Sequence, residues 1–285
     1  MRVLALGVAI AAAGLVAAPA SASDLIGYNA TDVRLAADGS GRALVTFTSS
    51  GRVHRVLAWG ALDARKPSRA TPQVSFALNT SYGGSLRNTC RPTHTAPPWV
   101  VTACRAGDGS YWALQSWQRR LPDLGARPSA SQAARELRLS HWSGTTAVLD
   151  VRFGWSQRRF LQLFGRYTYR GQPVFGYRVQ NGVPLDGYGR NVYVDAFDSD
   201  LGKGWKRVNS FLAHGPVGAF CYAFFPHDGR RGIGRKYRAT VIGPGVTPDL
   251  MWQAPAPAPY SPTADRAADA VMRELLAGDK LCRPN

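Results

Sequence analysis

The chain has little of what most enzymes and metalloproteins use. Its 285 residues hold 4 cysteines, 5 histidines, 3 methionines and 18 acidic side chains against 35 basic ones. No Cys-x-x-Cys pair exists and no histidine spacing completes one, which excludes the common structural zinc motifs. The Gly-x-x-x-x-Gly-Lys-Ser/Thr signature of a phosphate-binding P-loop is missing, and no serine stands in a Gly-x-Ser-x-Gly elbow. Beyond residue 22 no apolar run reaches the ~20 residues of a spanning helix. The expectation is a chain with no metal, no cofactor and no transmembrane segment once its leader is removed.

What is present begins with that leader. Met1 and Arg2 make a positive start, Val3 to Ala18 is apolar, and Ala20-Ser21-Ala22 supplies a small-x-small cleavage pattern before Ser23. Residues 1–22 therefore read as a signal peptide, and the protein as secreted, extracellular or held at the cell envelope. An uncleaved anchor is the competing reading, and the run is short for one. Cleavage leaves 34 basic against 18 acidic residues, a balance of +16. The charge is uneven: +7 over Ser23–Asp150, +10 over Val151–Arg238 and −1 over Ala239–Asn285. A cationic middle attracts anionic cell-wall polymers, glycans bearing charge or nucleic acid by a long-range, salt-sensitive force. A plainer source of the charge is composition, since arginine outnumbers lysine 30 to 5 amid abundant alanine, glycine and proline.

Four cysteines in an exported chain read as two disulfides. Three pairings exist, and sequence does not decide among them. Close spacing favours Cys90 with Cys104, and Cys221 with Cys282 would tie the tail to the body.

Period-two alternation dominates the chain. Ala43 to Thr48, the Ser49-Ser50-Gly51 turn and Val53 to Trp59 form a hairpin; Val74, Phe76 and Leu78 alternate, and Asp108-Gly109 turns into Tyr111 to Trp117. Leu121 to Ser131, with Pro122, Gly125 and Pro128, is the candidate boundary. Beyond it, Leu137 to Trp142 with Ala147 to Phe153 reads as a hairpin, as does Tyr167 to Tyr169 with Val174 to Val179. Gln157 to Phe164 fits a helical turn or a strand. Val192 to Phe197, Ala219 to Phe225 and Lys236 to Ile242 complete the set. The fold class is mainly β: antiparallel sandwich or barrel-like regions at 23–125 and 132–285, as two domains or around one core.

The C-terminus differs. Ala254 to Pro259 alternates alanine and proline as an extended arm, and Ser261-Pro262 reads as an N-cap followed by proline in the first turn. Ala264, Ala267, Ala268, Val271, Met272, Leu275 and Leu276 then follow helical spacing up to Gly278. Asp265, Asp269 and Glu274 on its polar side favour docking on the chain itself over lying on a membrane.

Three places carry candidate chemistry. Asn191 to Asp228 gathers Asp195, Ser210, His214, His227 and Asp228, from which a hydrolase would take a base, an orienting carboxylate and a nucleophile, although no motif accompanies them. Asp198-Ser199-Asp200 fails as an EF-hand loop, because Gly202, Lys203 and Asn209 fall at positions 5, 6 and 12. The stretch from Gly229 to Arg238 holds Arg230, Arg231, Arg235, Lys236 and Arg238, with glycines that can let backbone N–H groups line a concavity for an anion. Trp99, Trp112, Trp117, Trp142, Trp155 and Trp205 flank turns, where rings can stack on sugars or fill a core. The leading expectation is a non-catalytic module binding a polyanion or glycan. A secreted hydrolase and a structural envelope protein without a small ligand are the alternatives.

Overall fold

The computed structural model describes residues 24–63, 70, 74–93, 99–118, 134–173, 177–180, 183–186, 191–211, 218–226, 229–242, 250–277, 279 and 282. The expected leader, the expected 121–131 boundary, His214, His227, Asp228 and Gly278 lie outside them. The first half carries β1 (Asp24–Tyr28), β2 (Thr31–Ala37), β3 (Arg42–Ser49), β4 (Arg52–Trp59), β5 (Ala77–Asn79), β6 (Arg91–Pro92), β7 (Val100–Arg105), β8 (Tyr111–Gln118) and β9 (Arg135–Trp142). The second carries β10 (Val148–Ser156), β11 (Phe160–Tyr169), β12 (Gln172–Pro173), β13 (Tyr177–Gln180), β14 (Val183–Asp186), β15 (Asn191–Ser199), β16 (Gly202–Phe211), β17 (Ala219–Ala223), β18 (Lys236–Ile242) and β19 (Leu250–Pro255). One helix, α1 (Pro262–Leu275), follows.

The named strands pair antiparallel throughout, and no sheet closes into a barrel among the described residues. In the first half, the sheet β1-β9-β8-β7-β6 faces the sheet β2-β3-β4-β5. Trp112, Leu114, Leu137 and Leu139 of one sheet meet Val45, Phe47, Val56 and Ala58 of the other in one apolar cluster, which makes this half a sandwich. In the second half, Leu161, Leu163 and Tyr167 of β11 pack against Val192, Val194, Tyr237 and Ala239 of the sheet β16-β15-β18-β19. Each fully buried side chain of this size contributes roughly 1.5–3 kcal/mol. Between the halves, Trp99 packs on Tyr193 and Met251, and Arg170 reaches Asp63 at 2.7 Å.

Turn chemistry sets the hairpins. Ser50 and Gly51 both have positive φ, 50° and 72°, and the register Ser49↔Arg52 makes them a two-residue loop whose twist matches the strands. Gly165 in β11 is obligatory: an added Cβ would lie 1.8 Å from the Asp150 carbonyl oxygen.

Several expectations need correction. β9 and β10 are not a hairpin: β1 and β8 occupy both edges of β9, so β10 crosses to another sheet and pairs with β11. Tyr167 to Val179 is not one hairpin either; β11 turns only into β12, while β13 pairs with β14. The Asn181-Gly182 dipeptide between those two strands is the sequence signal that betrays the pairing. Gln157 to Phe164 resolves as a turn followed by a strand. Val74 and Phe76 lie outside β5, and Ala254 and Pro255 belong to edge strand β19, where proline is tolerated. Trp112 is fully buried.

Both disulfides form as the spacing favoured, with Cα separations of 5.4 Å for Cys90–Cys104 and 5.6 Å for Cys221–Cys282. The second holds α1 against the sheet. Ser261 caps the helix by accepting from the Ala264 N–H, Pro262 follows in the first turn, and Met272 and Leu276 bury against Phe164, Ala219 and Cys282. The acidic face of α1 has an internal use. Gln157, Arg158 and Arg159 all have positive φ, and their N–H groups donate to Asp269 (2.8 Å) and Asp265 (3.1 and 3.4 Å). Three consecutive left-handed non-glycine residues cost about 1–3 kcal/mol each, so the helix carboxylates hold a turn that sequence alone disfavours. No described helix is long and apolar enough to cross a membrane.

Candidate functional site

The sheet β16-β15-β18-β19 has one face in the core, and its opposite face runs from buried Tyr193, Asp195 and Arg207 to half-buried Phe197 and Trp205. Val192, Val194 and Ala196 of β15 point into the core, so Tyr193, Asp195 and Phe197 share the opposite face. The register places Arg207 and Arg238 on either side of Asp195, and Trp205 and Lys236 on either side of Phe197. The result is a row of cations interleaved with rings. The Arg238 guanidinium lies 4.5 Å from the Trp205 ring centre and that of Arg207 4.3 Å from Tyr193, while Arg235 and Lys236 approach Phe197 at 6.0 Å.

Asp195 is the pivot of that row. Its carboxylate accepts from Arg207 Nε at 2.6 Å and from Arg238 Nε at 2.7 Å. Burial pushes its pKa upward, but the two guanidinium charges and their hydrogen bonds outweigh burial and hold it below 3.8. Removing either partner class would strand a buried charge.

Around the β15–β16 turn the cations are exposed instead. Lys203, Arg230, Arg231, Arg235 and Lys236 all face solvent. Asp198 answers two of them: the Gly204 N–H first, then Arg235 at 2.5 Å and the charge of Lys203, keep its carboxyl below 3.8. Five cations thus surround two carboxylates, Asp198 and Asp200. Part of the loop's backbone donor set is engaged within the fold. The Arg231 N–H donates to Asp200, the Gly234 N–H to the Tyr237 hydroxyl and the Arg235 N–H to the Phe197 carbonyl, so these donors are spent on the fold. Gly232, at φ 69°, is required because a Cβ there would meet Val208 at 3.0 Å.

Of the sequence candidates, the structure gathers Arg230, Arg231, Arg235 and Lys236 around one turn and sets Arg238 apart in the Asp195 clamp. Ser210 lies in β16 opposite Tyr193. His214, His227 and Asp228 fall outside the described residues, and no described histidine approaches Asp195. The described residues also contain no group of three or more His, Cys, Asp or Glu side chains placed to hold a metal ion.

Sequence reasoning missed a hydroxyl–imidazole–carboxylate chain in the first half. His141 Nε2 lies 2.9 Å from Ser110 Oγ, which lies 2.6 Å from Asp108 Oδ1, and His141 Nδ1 meets the Ala61 carbonyl oxygen. A carbonyl only accepts, so Nδ1 carries a hydrogen, a tautomer assigned from this network. Burial lowers the His141 pKa, while the Ala61 bond and the charges of Asp108 and Asp63 act against burial. Ser110 and His141 are 6 and 3 % exposed, and Trp112 stacks on the imidazole at 3.7 Å. A substrate has no approach to that hydroxyl, so the chain holds β8, β9 and the Ala61 loop together rather than serving as a nucleophile. Its members are 31 and 80 residues apart in sequence, with no motif to join them.

No family model matches this chain, and neither a curated protein nor a solved structure matches it.

Proposed function

We propose that this chain is an exported, non-catalytic protein that binds an anionic polymer or glycan at the cell envelope or outside the cell. The observation that carries the reading is the group of exposed cations Lys203, Arg230, Arg231, Arg235 and Lys236 at the β15–β16 turn, beside the half-buried rings of Phe197 and Trp205. Cations supply salt-sensitive attraction to a polyanion, and rings beside them supply contact with sugars or bases. The leader at 1–22 and the two disulfides support export. Arg238 serves as scaffold under this reading, and Arg230, Arg231, Arg235 and Lys236 as contacts.

The test is a pull-down of the purified mature protein on isolated cell wall, heparin and DNA at low and high salt. A variant with Arg230, Arg231, Arg235 and Lys236 all changed to Ala runs beside it, with Arg238 left intact so that Asp195 keeps its partners. Retention that high salt abolishes and the variant lacks supports the reading. Absence of retention on all three materials overturns it.

A further inference from the structure

We propose that the cleft beside the Cys90–Cys104 disulfide binds the oxyanion of a phosphate group, free or carried on a polymer. The site lies in the first sandwich and stands independent of the cationic face described above. The cleft has a volume of about 630 Å³ and is lined by Asn88, Thr89, Arg91, Arg105, Gly107 and Gly109 among others.

The register between β6 and β7 sets Arg91 directly opposite Arg105. Like charges facing each other across a ladder destabilise a sheet unless something of opposite sign lies between them. Both side chains are exposed, and neither meets a carboxylate among the described residues. Arg105 is nonetheless oriented. Its Nε–H donates to the Gly109 carbonyl at 3.4 Å, and its guanidinium lies 5.8 Å from the Tyr111 ring, which stacks on Trp142 at 5.5 Å. The terminal nitrogens of the guanidinium remain for a ligand.

The other polar groups of the cleft select the ligand's sign. Asn88 Oδ1 accepts from the Ala37 and Cys90 N–H groups, at 3.2 and 3.0 Å, which assigns the amide and leaves both hydrogens of its nitrogen unspent. Thr89 Oγ1 donates to the Ala37 carbonyl and accepts from the Gly107 N–H, at 3.1 and 3.0 Å, so that hydroxyl and that N–H are consumed. The cleft's lining thus includes three side chains with donors to offer, the Asn88 amide and the Arg91 and Arg105 guanidinium groups. Such a set suits an oxyanion, whose negative charge offsets the facing arginines and whose oxygens accept from all three groups. A phosphate group spreads its charge over tetrahedrally placed oxygens that donors on separate strands can approach from different directions, whereas a carboxylate presents two oxygens in one plane. The cradle is held in place without ligand, since a Cβ at Gly107 would already crowd Thr89 Oγ1 at 3.0 Å and the disulfide ties Cys90 to β7.

The experiment titrates the mature, disulfide-bonded chain with inorganic phosphate, with a short glycerol-phosphate oligomer and with acetate, following the Gly107, Gly109 and Asn88 signals by ¹H–¹⁵N NMR. Saturable shifts with a Kd of ~1 mM or tighter are expected for at least one phosphate probe, with acetate at least about tenfold weaker. Tighter binding of the inorganic ion identifies free phosphate as the source, and tighter binding of the oligomer identifies a polymer. The double variant Arg91→Gln with Arg105→Gln should weaken binding at least about tenfold while raising the melting temperature in the absence of phosphate, because it removes the facing charges. That opposed pair of effects separates a lost site from a lost fold. The Arg230, Arg231, Arg235 and Lys236 variant should bind phosphate at this cleft as the parent does, which keeps the outcome distinct from failure of the polymer-binding face. Absence of saturable shifts for both phosphate probes, equal binding of acetate, or unchanged affinity in the double variant overturns the proposal.

Discussion

Two pairs of arginines brought together by strand register sit in the two halves of this chain, and the fold treats them in opposite ways. Arg207 and Arg238 flank Asp195, which bonds each of them in a nearly dry environment. Arg91 and Arg105 face each other in the open, with donors around them and no described carboxylate between them. The first pair carries its counter-ion within the fold and is scaffold. The second must take its counter-ion from solution. A high arginine count therefore says little about binding until each guanidinium has been assigned a partner.

The largest expected effect breaks the internal pair. Asp195→Asn leaves two arginines in a buried site without their counter-ion and should cost about 3–5 kcal/mol, read by chemical denaturation. A neutral result would mean that the clamp is open to water in solution.

Next comes the strained turn that α1 holds. Asp265→Asn removes the carboxylate that accepts from Arg158 and Arg159 and should destabilise by about 1–3 kcal/mol, with faster amide exchange at Gln157–Arg159. Unchanged exchange would show that the disulfide and the apolar face of α1 suffice.

Acidification sharpens the contrast between the halves. His141 has a folded pKa below its usual 6.5, so the unfolded chain takes up that proton more readily. Its stabilising contribution is full above pH 6.5 and is lost as pH falls through the lowered value. Asp195 is also depressed, below 3.8, so its contribution persists to more acidic pH and is lost only beneath that value. Amide protection in β8 and β9 should therefore weaken before protection in β15 and β18, and His141→Gln should flatten the early loss. Simultaneous loss in both sheets would contradict the assignment.

The smallest effect has the opposite sign. Arg91→Gln alone should stabilise the free protein by about a few tenths of a kcal/mol, by relieving repulsion at an exposed site. Destabilisation would mean that Arg91 has an internal partner.

How much of this was legible depended on how local the deciding interaction is. The β3–β4 hairpin, the capped α1 and the disulfide spacings depend on neighbours in sequence, and all appear as read. β16 escaped notice because Lys203, Lys206 and Arg207 break its alternation, making a strand look like a polar loop. β9 and β10 were misjoined because consecutive strands belong to different sheets, which no local pattern encodes. At the site, the basic residues were visible and their partners were not. That Arg238 is spent on Asp195, or that Arg91 meets Arg105, follows from strand register. A one-residue slip would have moved each of them to the other face.

The most direct test of the central claim is the salt dependence of heparin binding, comparing the mature protein with the Arg230, Arg231, Arg235 and Lys236 to Ala variant. The account predicts a steep fall of log K with log salt for the parent and weaker binding with a shallower slope for the variant, because fewer counterions are released. Equal slopes and equal affinities would contradict it, since the cations at the β15–β16 turn would then contribute nothing to recognition.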